Sequence, residues 1–482
     1  IIMGVLSNLE PKEVFCYFEE ICNIPHPSYE EKKISDYCMQ FAKKHGLEAY
    51  QDSSHNVVII KEASEGYEEK ETIVLQGHMD MVCQKTPETE IDFSNDGLEL
   101  EVCGDYIQAK GTTLGGDDGI AVAYCLAILA SDSIKHPKLE VILTTGEEVG
   151  LLGATAIDVS MCQGRKMINL DSEDEGVFLS GCAGGATVSV VLPVTKKEAE
   201  GEVLTVKVTG LLGGHSGAEI HKGRANANVV LGTTLGKVNK ECGIKLISFC
   251  GGDKDNVIPR KATAQILVKA EEKAEIISKL KQYEAEVKAQ YQKTDAGLCI
   301  EVTEEGTKTC MAAEGKDLEA LFSYFVKMPN GVQAMSQDME GLVETSLNLG
   351  TTDLKEDGMY MSHSVRSSVD EKKEKLLAQM KETAADLGAK VSVSGEYPGW
   401  KYEAVSPLRE EMVEVFEKMY GRKPVVEAIH AGVECGLFSK KMPGLDCVSI
   451  GPDMDAIHTT EERLSISSAK RVWEFILEVL KK

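Results

Sequence analysis

Between residues 71 and 171, short β-branched and aliphatic runs alternate with stretches of helical period. Residues 72–75 and 141–145 read as strands, and residues 120–130, apolar on every face, as a buried helix. This alternation predicts a mostly parallel central sheet flanked by helices. After the glycine-rich residues 181–185 the texture changes. Amphipathic strands (203–208, 263–268) and charged helices (271–288, 370–387) predict an inserted α+β domain, with two similar halves and the second over residues 298–393. Beyond Tyr397-Pro398-Gly399 the first pattern returns, with a helix over 410–420, a strand over 447–450 and a closing helix from Ser467. The expected fold class is α/β. A discontinuous first domain (1–186 and 398–482) carries an inserted lid (187–397).

A chain of 482 residues exceeds what one core serves, in line with two or three domains. Its 52 basic and 78 acidic residues leave a formal charge of −26, which opposes nucleic acid and anionic membranes and gathers cations instead. The longest apolar run, residues 119–130, is far short of the roughly 20 residues that span a bilayer, and no basic, apolar, cleavable leader opens the chain. The fourteen cysteines contain no CxxC pair and read as reduced thiols. These features predict a cytoplasmic protein with small ligands.

Five segments carry the chemistry: Gln76-Gly77-His78-Met79-Asp80, Gly115-Gly116-Asp117-Asp118-Gly119, Thr145-Gly146-Glu147-Glu148, Asn169-Leu170-Asp171 and Asp455-Ala456-Ile457-His458-Thr459. Each lies near the end of an apolar run or opens a helix, and open α/β sheets bind ligands beyond the carboxyl ends of their strands. Singly, each residue has an ordinary reading: a hydrogen-bonded histidine, a helix N-cap, a solvated acidic turn. Jointly, two imidazoles and several carboxylates on one rim describe a metal site. His78 and Asp80 lie two apart and face one side of an extended segment, so Asp80 can orient the imidazole. Glu147 and Glu148 are adjacent and point apart, so one can bind metal while the other moves protons.

These motifs resemble the zinc aminoacylase and carboxypeptidase superfamily of cocatalytic metallopeptidases, and within it the aminoacyl-histidine dipeptidases. The resemblance covers nearly the whole chain, through Gly181-Cys182-Ala183-Gly184-Gly185, Gly213-Gly214-His215-Ser216-Gly217, residues 255–260 and residues 430–436. It implies that Asp117 bridges two Zn2+ ions, with Co2+ and Mn2+ as alternatives. His78 and Asp171 would complete one site, and Glu148 and His458 the other. It further implies Glu147 as general base, Asp80 in support, and a cis peptide between Asp117 and Asp118. Four positive charges against three ligand carboxylates leave room for a bridging hydroxide.

For the substrate, the resemblance offers His215 to support the oxyanion, and Asn256 and Arg366 to hold the C-terminal carboxylate of a dipeptide, since a guanidinium fork matches a carboxylate. Many relatives carry an arginine where Lys269 stands here, which makes Lys269 the competing anchor. Asp174 and Glu434 are candidates for the substrate ammonium. The expected activity is hydrolysis of unblocked dipeptides, Xaa-His among them, by a monomer or homodimer. The alternatives are an N-acyl amino-acid deacylase or carboxypeptidase with the same metal chemistry, and a non-catalytic peptide-binding protein. The last predicts loss of Glu147 or a ligand, and all are present.

Overall fold

The computed structural model describes residues 4–482. The chain forms two compact units. The first runs to Gly181 and resumes over Tyr402–Ala428 and Val433–Lys482; the second comprises Cys182–Lys401 and Ile429–Gly432. The return to the first unit is therefore interrupted, whereas the sequence pattern assigned everything beyond 398 to the first domain. Hydrogen bonds hold the four exceptional residues in the second unit. Ala183 N–H bonds the carbonyls of Ile429 and Ala431 (3.1 and 3.0 Å), and His430 Nε2 lies 2.7 Å from Ser346 Oγ.

The first unit is built on eight strands: β1 (Glu48–Gln51), β2 (Val57–Lys61), β3 (Ile73–His78), β4 (Leu139–Thr144), β5 (Lys166–Asn169), β6 (Val177–Cys182), β7 (Val425–Ile429) and β8 (Asp446–Ser449). Their spatial order is β1-β2-β4-β3-β5-β8-β6-β7. The four middle strands β4, β3, β5 and β8 are mutually parallel, and β2 joins β4 antiparallel. Every residue of β3 and β4 is buried, as expected for parallel strands covered on both faces.

The helix α1 (Gly116–Ala130) is buried from Gly116 to Leu129, which explains its lack of a polar face. It packs directly on β3 because residue 77 is glycine. A Cβ there would lie 2.6 Å from Asp118 Oδ2 and 2.7 Å from the Ala121 Cβ. The closing helix α2 (Ile466–Leu480) receives the Tyr124 hydroxyl bond at Ala469 O (2.8 Å) and stacks Trp473 on that ring.

The second unit holds a nine-stranded antiparallel sheet. Its long strands Lys196–Thr209 and Cys299–Ala313 pair with each other, so the expected second half over 298–393 shares its first strand with the residues before it. Val343–Leu354 pairs with Gly358–Ser367, and the helices are Ala227–Cys242, Lys273–Gln290, Lys316–Lys327 and Asp370–Asp386. Among the described residues, no helix is long and apolar enough to cross a membrane.

Candidate metal centre

Three of the parallel strands end together, and each delivers an acid or imidazole as it ends. His78 is the last residue of β3, Glu147 and Glu148 follow β4 in a turn opened by Gly146 (φ 59°), and Asp171 lies two residues past β5. The fourth contribution comes from the start of α1. Gly115 takes the left-handed conformation (φ 66°), and Asp117 and Asp118 depart from helical geometry, with the peptide between them cis as the resemblance implies. His458 arrives from the loop after the strand Met454–Asp455, itself left-handed (φ 61°), as is Ala456 (φ 53°).

The side chains converge around Asp117. Its Oδ1 lies 3.1 Å from His78 Nε2 and its Oδ2 3.1 Å from His458 Nε2. His78 Nε2 also lies 3.4 Å from Asp171 Oδ1, and His458 Nε2 2.9 Å from Glu148 Oε1. Two atoms bound to one tetrahedral zinc at 2.0–2.1 Å are roughly 3.3 Å apart, so these spacings suit two ions that share Asp117. Asp118 lies beside the same group, with Oδ2 accepting the His78 N–H (3.1 Å) and Oδ1 buried without a partner.

Charge makes the same demand. Asp80, Asp117, Asp118, Glu147, Glu148, Asp171, Glu173 and Glu434 crowd around two imidazoles, and none pairs with lysine or arginine among the described residues. The titration of the group reflects that crowding. Burial raises Asp171 to about 8, against the pull of His78 and with help from Asp117 and Glu434. It lifts Glu147 well above the carboxylate range, opposed by His78 and reinforced by Asp171 and Glu434. Hydrogen bonds to Asp117 and Glu148 carry His458 up to about 10. Burial opposes charge on His78, but Asp171 and Asp117 outweigh it and raise its pKa well above the usual value. Groups that hold extra protons in this way could exchange them for cations.

Asp80 faces His78 through both its main chain and its carboxylate, and does more besides. The nearest partner of His78 Nδ1 is the Asp80 main-chain oxygen (3.0 Å), with the carboxylate at 3.5 Å. That carboxylate accepts the Glu147 N–H (3.1 Å) and the Ser28 hydroxyl (2.8 Å), so Asp80 ties the turn carrying Glu147 to the His78 segment.

Beneath the strand ends lies a polar network that spacing did not foretell. Asn169 donates to Gln76 Oε1 (2.5 Å), and Gln76 Nε2 and Thr144 Oγ1 donate to Glu434 Oε2 (2.5 and 2.7 Å). One buried carboxylate thus braces β3 and β4 directly and β5 through Gln76. Glu434 is fully buried, which removes it as a receptor for a substrate ammonium; Asp174 is exposed. A second unforeseen acid, Glu462, accepts four backbone N–H bonds from residues 114–117. In sequence it was only the second member of an acidic pair.

The remaining candidates lie in the second unit. His215 Nδ1 accepts N–H bonds from Gly217 and Ala218 (3.2 and 3.0 Å). A backbone N–H can only donate, so neutral His215 carries its proton on Nε2. Burial and then Arg366 lower its pKa and keep it neutral. The Asn256 carbonyl accepts the Ser216 N–H (2.9 Å), which joins the two loops. Arg366 on the strand Gly358–Ser367 is buried, donates to the Tyr397 hydroxyl (3.2 Å) and has no carboxylate partner among the described residues. Lys269 is exposed and paired with Glu272 (2.8 Å), which favours Arg366 over it as an anion anchor.

A family model described as the peptidase dimerisation domain matches residues 206–295. The cytosol non-specific dipeptidase of Escherichia coli is 36% identical over 99% of both chains. The crystal structure of aminoacylhistidine dipeptidase from Vibrio alginolyticus superposes with a TM-score of 0.93 at 36% identity, covering 99% of this chain and 98% of that one. A tripeptidase from Staphylococcus aureus, 17% identical with a TM-score of 0.56 over 99% of each chain, shares the fold. With 36% identity to these dipeptidases over nearly the full length, the chain belongs to the aminoacyl-histidine dipeptidase family of metallopeptidases.

Proposed function

We propose that this protein hydrolyses unblocked dipeptides, Xaa-His among them, at a centre of two Zn2+ ions held by His78, Asp117, Glu148, Asp171 and His458. The observation that carries the reading is the double engagement of Asp117, whose two oxygens face different histidines, each within reach of its own further carboxylate. Bound zinc would polarise the peptide carbonyl and acidify water. Glu147 then takes the proton of the attacking water and delivers it to the departing amine nitrogen. Two features suit it to that work. Its backbone is pinned by Asp80, and burial raises the proton affinity of its carboxyl, a rise that nearby bound cations would offset so that it can both take and release a proton.

To the second unit we assign the grip on substrate. His215 Nε2–H is a donor for the oxyanion, and Arg366, with Asn256, receives the C-terminal carboxylate; a buried guanidinium without a carboxylate partner calls for an anion. A cytoplasmic location follows the Escherichia coli relative's description, and a homodimer follows that of the matched domain.

The test is hydrolysis of a dipeptide panel by metal-reconstituted protein, with N-acetylated and tripeptide controls. Turnover confined to unblocked dipeptides is expected. Preference for the acetylated compounds would reassign the protein as a deacylase, and no turnover of any compound would remove the catalytic reading.

A further inference from the structure

We propose that Glu462 is a positioning residue that locks the loop carrying His458 to the loop carrying Asp117. What those loops hold rests on the metal reading above; that they are joined rests on hydrogen bonds. Glu462 Oε2 accepts the N–H groups of Leu114 and Gly115 (2.8 and 3.2 Å), and Oε1 those of Gly116 and Asp117 (2.8 and 3.3 Å). The residue is 3% exposed and pairs with no lysine or arginine among the described residues. Four N–H donors replace the cation that a buried carboxylate ordinarily needs, at the end of α1 where the helix dipole favours negative charge.

The sequence on both sides is fitted to this clasp. Gly115 turns left-handed, which aims successive N–H groups the same way, and a Cβ on Gly116 would come to 3.3 Å from Glu462 Oε1. On the other side, Ala456 and His458 occupy left-handed backbone that residues with a side chain rarely adopt. The loop is closed at its base by the pairing of Asp455 with Arg463, and inside it the bonds are short-range ones such as Thr459 Oγ1 to Ala456 O (2.7 Å) and Glu462 N to Thr459 O (3.2 Å). Strained backbone persists when its surroundings fix it, and Glu462, four residues past His458, supplies the fixed point. The clasp therefore sets where His458 Nε2 stands relative to Asp117 Oδ2.

Glu462→Gln tests the assignment, because in either orientation the amide NH2 faces two of the four N–H donors. On metal-free protein, hydrogen exchange should quicken both in residues 114–117 and in residues 455–461. In titrations of apoprotein with Zn2+ or Co2+, one of two metals should bind roughly 10- to 100-fold more weakly, the range for partners that orient ligands, while the other is retained. Glu462→Asp, which keeps both acceptor oxygens, should recover part of that affinity, and it carries both measurements if the Gln variant does not fold. Unchanged exchange over 455–461, or wild-type affinity for both metals, overturns the proposal. Wild-type protein that takes up no metal would sink the metal reading, and the exchange measurement alone would then decide whether the two loops are joined.

Discussion

Glu434→Gln isolates the effect of one buried acid on the stability of the metal-free protein. Burial, only partly offset by His78, Thr144 and Gln76, raises the Glu434 pKa from 4.5 to about 7. The folded chain therefore keeps this proton up to about pH 7, while the unfolded chain gives it up near 4.5. Between those values the folded state binds more protons, so stability falls as pH rises through the window. The interval corresponds to about 3 kcal/mol. Glutamine mimics the protonated acid: its oxygen can take the bonds from Gln76 and Thr144, and its NH2 replaces Oε1, which has no partner in the structure. At pH 5 the variant and wild type should therefore differ by less than about 1 kcal/mol. At pH 8 the metal-free variant should be the more stable by about 3 kcal/mol. Urea unfolding can be followed by the fluorescence of Trp473, buried in the first unit, in a Trp400→Phe background. Bound metal should shrink the difference, because nearby cations ease ionisation of Glu434. An advantage that does not grow with pH, or grows equally with metal bound, would refute the reasoning.

Glu147→Gln should retain both metals yet lose at least roughly 100-fold in kcat, whereas Glu148→Gln should first lose metal; metal content measured beside kcat separates the two. Chelation should abolish turnover and lower the melting temperature, and added Zn2+ should restore both; an active, metal-free preparation would count against the centre. Asp117→Ala should be the most damaging ligand change, because that residue faces both histidines, and metal analysis should find neither ion retained. Arg366→Ala should cost about 1.5–3 kcal/mol in kcat/KM on dipeptides. That loss should vanish on C-terminally amidated substrates, and an equal loss on both would release Arg366 from the carboxylate.

The layout of the first unit was legible because strand ends are local events. Apolar runs stop at His78, before Glu147 and before Asp171, and parallel topology alone puts such stops on one rim. The start of α1 was legible through the resemblance alone, for taken singly Asp117 and Asp118 read as an ordinary N-cap, whereas the structure gives them non-helical backbone joined by a cis peptide. What stayed hidden depends on burial set by distant contacts. Glu434 reads as a candidate for the substrate ammonium and Glu462 as one of an acidic pair until Gln76 and residues 114–117 are brought against them. The role of Asp80 was half visible, for alternation places it beside His78 but says nothing of its bond to Glu147 N. Lys269 and Arg366 could not be ranked without knowing that one is exposed and paired and the other buried and, among the described residues, without an acidic partner.

Asp117 and His458 stand 341 residues apart in sequence, with the whole of Cys182–Lys401 between them. During synthesis, a chain that has emerged through its second unit already displays His78, Asp117, Glu148 and Asp171, but neither His458 nor the Glu462 that anchors it. The second histidine and its clasp reach Asp117 only when the last strands and α2 have left the ribosome. On the proposed ligand set, a peptidase assembled in this order is inert while it is a nascent chain, and a product broken off anywhere before residue 458 lacks one of the proposed ligands.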